Sequence, residues 1–144
     1  MQGRSLGLYI HLPFCIQKCL YCDFCSFPAV SEVDRGRYTE ALCREIREAA
    51  PALSGYTVDT VFLGGGTPSL LSAEEYLSIS NTIFENYRIA ENLEFTSEAN
   101  PATLDEGKLA AMRKAGVNRL SIGMQSAVDS ELAALGRVHT ASDA

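Results

Sequence analysis

Three cysteines, Cys15, Cys19 and Cys22, stand within eight residues at C-x3-C-x2-C spacing. They follow a short apolar string, Leu8-Tyr9-Ile10-His11-Leu12-Pro13-Phe14. Thiolates are soft ligands that suit zinc and iron–sulfur clusters, and a loop this short lets all three reach one small metal centre. The spacing leaves two centres open. A four-iron cluster held by three cysteines keeps one iron without a protein ligand, available to a small molecule. A fourth cysteine, Cys25, follows at x2 spacing, so Cys15, Cys19, Cys22 and Cys25 would also complete a closed tetrahedral zinc site.

Other strings carry chemistry-bearing residues. Gly64-Gly65-Gly66-Thr67-Pro68 follows an apolar run and precedes a helical pattern. Glycines there let a ligand approach the backbone or simply make a tight turn. No lysine follows in the position a phosphate-binding loop needs. Glu98 lies in Glu98-Ala99-Asn100-Pro101, and Gln125 in Gly123-Met124-Gln125-Ser126. Glu98 reads equally as a ligand contact or as a solvated carboxylate or helix-cap partner, and Gln125 as a ligand contact or a polar strand end.

The elements that must position these groups alternate. Leu6 to Leu12 is a predicted strand with Leu8, Ile10 and Leu12 on one face and Tyr9 and His11 on the other. Asp34 to Ala50 is a predicted helix with a stripe of Tyr38, Leu42, Ile46 and Ala49, stopped by Pro51. Val58 to Leu63 is a second strand. A second helix starts at Ser72 with Glu75 as its capping-box partner, burying Tyr76, Ile79, Ile83, Phe84 and Tyr87. Leu93 to Ala99 is a third strand. Thr103 and Glu106 form a capping-box pair for a third helix that ends at Gly116. Asn118 to Met124 is a fourth strand, Asp129 caps a short helix to about Leu135, and Thr140 to Ala144 opens another.

This βαβαβαβ order implies an α/β fold with parallel strands and right-handed crossovers. The third strand alternates Leu93, Phe95 and Ser97 with Glu94, Thr96 and Glu98. The fourth alternates Leu120, Ile122 and Met124 with Arg119, Ser121, Gly123 and Gln125. Buried parallel strands are usually apolar on both faces. Polar faces here point to a lumen or cleft, with helices over the apolar faces. The cysteine loop, the glycine loop, Glu98 and Gln125 all fall at the C-terminal ends of strands, the rim where βα architectures place ligands.

Composition excludes several classes. The 144 residues are 47% hydrophobic and 21% charged, which suffices for one core. The net charge of −6, with 12 scattered basic residues against 18 acidic ones, offers no nucleic-acid surface. No apolar run approaches a membrane span, and Met1 to Ser5 leads into a strand without a signal-peptide core. Five cysteines, three of them clustered, favour ligands over a disulfide framework. Thiolate ligands imply a reducing compartment, hence a cytoplasmic protein. Cys25 is expected as a free thiol and Cys43 as a small half-buried helical residue. His11 and His139 read as structural.

Cys15, Cys19 and Cys22, with Tyr21 just before the last, resemble the cluster motif of the radical S-adenosylmethionine (SAM) superfamily. Tyr9-Ile10-His11-Leu12-Pro13-Phe14-Cys15 resembles the branch of oxygen-independent coproporphyrinogen III oxidases and related haem chaperones. The resemblance runs from Leu8 to His139, and Asn118-Arg119-Leu120-Ser121-Ile122-Gly123 belongs to it. It implies a [4Fe-4S] cluster on Cys15, Cys19 and Cys22, whose open iron chelates SAM and whose electron cleaves SAM to a 5′-deoxyadenosyl radical. It implies SAM contacts from Gly65, Gly66 and Thr67, from Glu98, from Gln125, from Tyr9 and Tyr21, and from Arg137, which pairs with a carboxylate. No catalytic side chain is assigned. On this resemblance residues 1–144 correspond to the N-terminal portion of a radical SAM partial TIM-type barrel, with the C-terminal region absent. The free polypeptide would then expose its fourth strand and aggregate.

Within the branch, the oxidases carry a fourth cysteine two residues after the third ligand, where this chain has Phe24. They also have a longer segment before the first strand. Cys22-Asp23-Phe24 resembles the haem chaperones. That implies a protein that binds haem, through residues mostly C-terminal to this chain, and delivers it to a haem-requiring recipient, with an electron donor as a further partner. The alternatives are the oxidase, an oxidoreductase of the coproporphyrinogen III dehydrogenase type acting on a porphyrinogen, and a zinc-stabilised binding module.

Overall fold

The computed structural model describes residues 4–144; the expectation for Met1 to Gly3 lies outside the described residues. Four strands, β1 (Arg4–Leu12), β4 (Tyr56–Gly65), β5 (Ile89–Ala99) and β6 (Arg119–Ile122), form one sheet in the order β1-β4-β5-β6. Every pairing is parallel. Helices α1 (Glu32–Ala49), α2 (Ala73–Asn86) and α3 (Glu106–Lys114) make the crossovers between consecutive strands of the sheet. The α/β reading from the sequence is therefore met, as the helix-length connections require.

The core lies between the helices and one face of the sheet. Ile10, Leu12, Val58, Val61, Leu63 and Phe95 from the strands meet Cys43, Ile46, Tyr76, Ile79, Ile83 and Met112 from the helices. Val58 and Val61 both enter this core although an odd spacing should oppose them. The register shifts between Val58 and Thr60, and opposite it between Leu6 and Gly7. One extra residue, Asp59, reverses the alternation for the rest of β4. Gly7 answers the bulge, since a Cβ there would stand 2.8 Å from Thr60 Oγ1.

The helix starts show which local signals govern. Ser72 and Glu75 form the expected capping box, each side chain bonding the other's backbone N–H. Ser31 caps α1 by accepting from Asp34 N, so this helix starts earlier than expected. It ends at Ala49, and Ala50–Leu53 continues as a 3-10 turn that accommodates Pro51. Ala49 is exposed and Cys43 fully buried, so the core face is rotated towards Thr39, Cys43 and Ile46. The cap of α3 is Asp105, which accepts from Lys108 N, and not Thr103. Thr103 belongs to the preceding 3-10 turn, where its hydroxyl donates to Asn100 O. Helix α4 (Asp129–Ala134) has no side-chain cap; Asp129 instead accepts from Ala141 N. Thr140 to Ala144 forms a 3-10 turn over Ala141–Asp143.

Two further short strands were not foreseen. β2 (Phe14–Cys15) and β3 (Phe27–Pro28) pair in parallel and bracket the cysteine loop. Phe84, expected in the core, is 40% exposed and lies edge-on to Phe95 with ring centroids 6.3 Å apart. Ile122 is 46% exposed, so among the described residues no helix covers the end of β6, contrary to the alternation. No helix among the described residues is long and apolar enough to cross a membrane.

Tyr76 is buried against β5, 3.0 Å from Ser97 Oγ. Burial pushes its phenol up to about 12. A folded value above the unfolded one favours the neutral phenol in the native state. The contribution is fully present below about pH 10 and is lost as pH rises towards about 12. Urea midpoints should fall through this window, and Tyr76→Phe should remove about 2–3 kcal/mol of that fall. An identical pH dependence in the variant would contradict the assignment.

Candidate functional site

The polar groups singled out in the sequence meet because the strand ends are sewn together. Beyond the last pair of the β1–β4 ladder, Gly66 N donates to Leu12 O at 2.8 Å and Thr67 N donates to Phe14 O at 2.6 Å. Phe27 N donates to Pro13 O and Ala29 N to Cys15 O, closing the base of the cysteine loop. The glycine loop and the cysteine loop are therefore one backbone unit. Gly66 is required for it, since a Cβ there would lie 2.5 Å from Phe14 O and 2.8 Å from Leu12 O.

Gly65 has a φ of +109°, which favours glycine, and packs against the His11 ring. Its N–H donates to Glu98 Oε2 at 3.0 Å. That bond joins the end of β4 to the end of β5. His11 bonds through Nε2 to Cys25 O (2.9 Å) and through Nδ1 to Tyr9 Oη (3.0 Å). It thus acts as a strut between β1 and the cysteine loop, in keeping with its structural reading.

A cavity of about 320 Å³ opens at this rim. Cys15, Cys19, Tyr21 and Cys22 line it from the cysteine loop. Gly65, Gly66 and Thr67 line it from the glycine loop, Glu98 from β5, and Gln125 and Arg137 from beyond β6. Of the eleven residues selected from the sequence, Tyr9 alone does not line it. Tyr9 stands beside the rim instead, stacked on Phe62 with ring centroids 6.1 Å apart. Burial raises its phenol, and the Glu98 carboxylate adds to the rise. Burial likewise raises the Tyr21 phenol, against the pull of Arg137. Gln125 has a φ of +68°, strained for a residue with a side chain, and strain of this kind gathers at functional sites.

The sulfur atoms fall into distinct settings. Cys15 Sγ receives the Thr67 hydroxyl at 3.7 Å, and Cys19 Sγ receives Arg137 Nη1 at 3.5 Å. Cys25 is exposed and does not line the cavity. Among the described residues, no three His, Cys, Asp or Glu side chains converge on a single ion. A multi-iron cluster distributes its thiolates over separate irons, and three half-buried cysteines around one cavity fit that demand.

Sequence reasoning did not select Gln17, Asn100, Ser121 or Val138, which also line the cavity. Asn100 and Ser121 follow from positions at strand ends. Gln17 and Val138 depend on a tertiary contact between segments over a hundred residues apart, for which no local signal exists.

A family model described as the radical SAM superfamily matches residues 9–144. The heme chaperone HemW of Escherichia coli (strain K12) is 40% identical over 139 residues, covering 96% of this chain and 37% of that protein. The radical S-adenosyl methionine domain-containing protein 1, mitochondrial, of Mus musculus is 41% identical over 138 residues, covering 96% of this chain and 31% of that protein. The solved structure of coproporphyrinogen III oxidase (HemN) from Escherichia coli, a radical SAM enzyme, superposes with a TM-score of 0.90 at 27% identity. It covers 99% of this chain and 32% of that one. The chain thus spans about a third of the length of these relatives.

Gly66→Ala should force the two loops apart, because the opposing atoms are backbone carbonyls with little freedom to move. The expected cost is about 1–3 kcal/mol in urea unfolding, with faster hydrogen exchange at the Gly66-equivalent and Thr67 amides. Unchanged stability and exchange would contradict the close fit.

Proposed function

The chain belongs to the radical SAM superfamily, and from that premise we propose that it holds a [4Fe-4S] cluster and SAM at the β-strand rim and serves haem delivery as part of a haem chaperone. The observation that carries this reading is the shared cavity, with three cysteines on one wall and the glycine loop, Glu98 and Gln125 on the others. The domain reading goes with it: residues 1–144 form the N-terminal portion of a radical SAM core.

Cys15, Cys19 and Cys22 would hold the cluster. When bound, the cluster supplies the electron that cleaves SAM. The chain's own groups do the rest. Gly65 and Gly66 line the cavity and would present their backbone to the methionine part of SAM. Glu98, already accepting the Gly65 N–H, has a second carboxylate oxygen to offer a cationic amino group. Thr67 and Gln125 offer a hydroxyl and an amide along the cavity wall. The Arg137 guanidinium suits the SAM carboxylate, and among the described residues its buried Nε has no hydrogen-bond partner. Tyr21 offers an aromatic face beside the cysteines, and Tyr9 a phenol at the rim.

Two features support the chaperone over the oxidase. Phe24 takes the position at which the resembled oxidases carry a fourth cysteine, and it is 63% exposed. The relatives near 40% identity are named heme chaperones, whereas the oxidase structure stands at 27%. Haem, a haem-requiring recipient protein and an electron donor are the proposed partners, in a reducing compartment such as the cytoplasm. The protein carrying its complete radical SAM region should bind haem stoichiometrically without converting coproporphyrinogen III. Turnover to protoporphyrinogen IX would overturn the chaperone reading in favour of the oxidase.

Cysteine replacement separates cluster from zinc. Cys15→Ala, Cys19→Ala and Cys22→Ala should each abolish incorporation of iron and sulfide, and Cys25→Ser should leave it intact. Loss of metal on Cys25→Ser would instead support the four-cysteine zinc site.

A further inference from the structure

The cysteine loop is gripped from its far side by Leu135-Gly136-Arg137, the segment just beyond α4. Leu20 N donates to Leu135 O at 3.2 Å, and Gln17 Nε2 donates to Gly136 O at 3.3 Å. Gly136 has a φ of +72°, and a Cβ there would approach Leu20 Cγ to 3.2 Å. Arg137 then forks. Its Nη2 donates to Gly123 O at 2.6 Å, at the end of β6. Its Nη1 lies 3.5 Å from Cys19 Sγ and 3.5 Å from Tyr21 Oη. One side chain therefore ties the cysteine loop to the last strand of the sheet.

The three cysteines are not equivalent in this arrangement. Cys15 meets a neutral hydroxyl, Thr67, and among the described residues no side chain hydrogen-bonds the Cys22 sulfur. Of the three, among the described residues, only Cys19 has a cationic side chain hydrogen-bonded to its sulfur. Arg137 is half-buried, so solvent screens that charge incompletely.

We propose that Arg137 is a positioning residue for the cysteine loop, and that its charge on the Cys19 sulfur raises the reduction potential of the bound cluster. This rests on the cluster reading above and goes beyond the pairing of Arg137 with a SAM carboxylate. Reduction adds one electron to the cluster. A cation and hydrogen-bond donor at a ligating sulfur stabilises that added charge.

The test is an EPR-monitored redox titration of the anaerobically loaded protein, with iron and sulfide counted in each sample. Arg137→Gln should keep its iron and sulfide and titrate at a lower potential than the parent. Arg137→Lys keeps the charge but not the fork, and should fall between. Equal potentials in the parent and Arg137→Gln at equal loading overturn the tuning role while leaving the cluster reading intact. If Arg137→Gln does not load, Arg137→Lys decides: a lowered potential supports the proposal, and the parent value contradicts it. Failure of the parent to take up iron and sulfide would bring down the cluster reading itself. The positioning role is read separately in the unloaded protein. There Arg137→Gln should speed exchange of the Leu20 amide by roughly tenfold, and an unchanged rate would refute it.

Discussion

Two backbone hydrogen bonds beyond the β1–β4 ladder carry the rest of the site. Gly66 N to Leu12 O and Thr67 N to Phe14 O fix the glycine loop on the entry to the cysteine loop. They form only if the chain at Gly66 has no side chain, because the two carbonyls fill that space. Once they form, Thr67 stands over Cys15, and Gly65 turns its N–H to Glu98. Each group then follows from the parallel sheet, whose strand ends share one rim. The site is thus a property of the sheet's topology before it is a property of any one side chain.

The division of labour between the two faces of the sheet follows from burial. The helix side is apolar and closed, and Tyr76 and Ser97 form a hydrogen-bonded chain to Glu98 within it. The other face carries Glu94, Thr96 and Arg119, joined by hydrogen bonds and by the Arg119–Glu94 ion pair at 3.1 Å. A charge pair this exposed adds little stability. Its consequence is to keep that face polar up to the cavity, so that apolar packing holds the fold and polar groups remain for a ligand.

Much of the architecture was legible because it depends on local signals. The alternation of β-branched runs with helical stripes set the βα order, and Ser72 with Glu75 marked a helix start that formed as expected. The misreadings arose where tertiary or neighbouring groups compete. Asp105 outbid Thr103 as a cap because Thr103 was already engaged with Asn100. The bulge at Asp59 cannot be read from β4 alone, since it is set by register against two neighbours. The β2–β3 pair consists of two-residue strands and carries no periodicity. At the site, the cysteine and glycine strings were visible as strings. The grip of Leu135-Gly136-Arg137 on Leu20 and Cys19 was not, because it joins residues more than a hundred positions apart.

The nature of the metal centre decides what this rim can do, and elemental analysis with an absorption spectrum tests it most directly. Anaerobically reconstituted protein should contain about four irons and four sulfides per chain, with a broad thiolate–iron absorption that bleaches on reduction. One tightly held zinc without sulfide would contradict it, and the radical chemistry assigned to this rim would have to be abandoned.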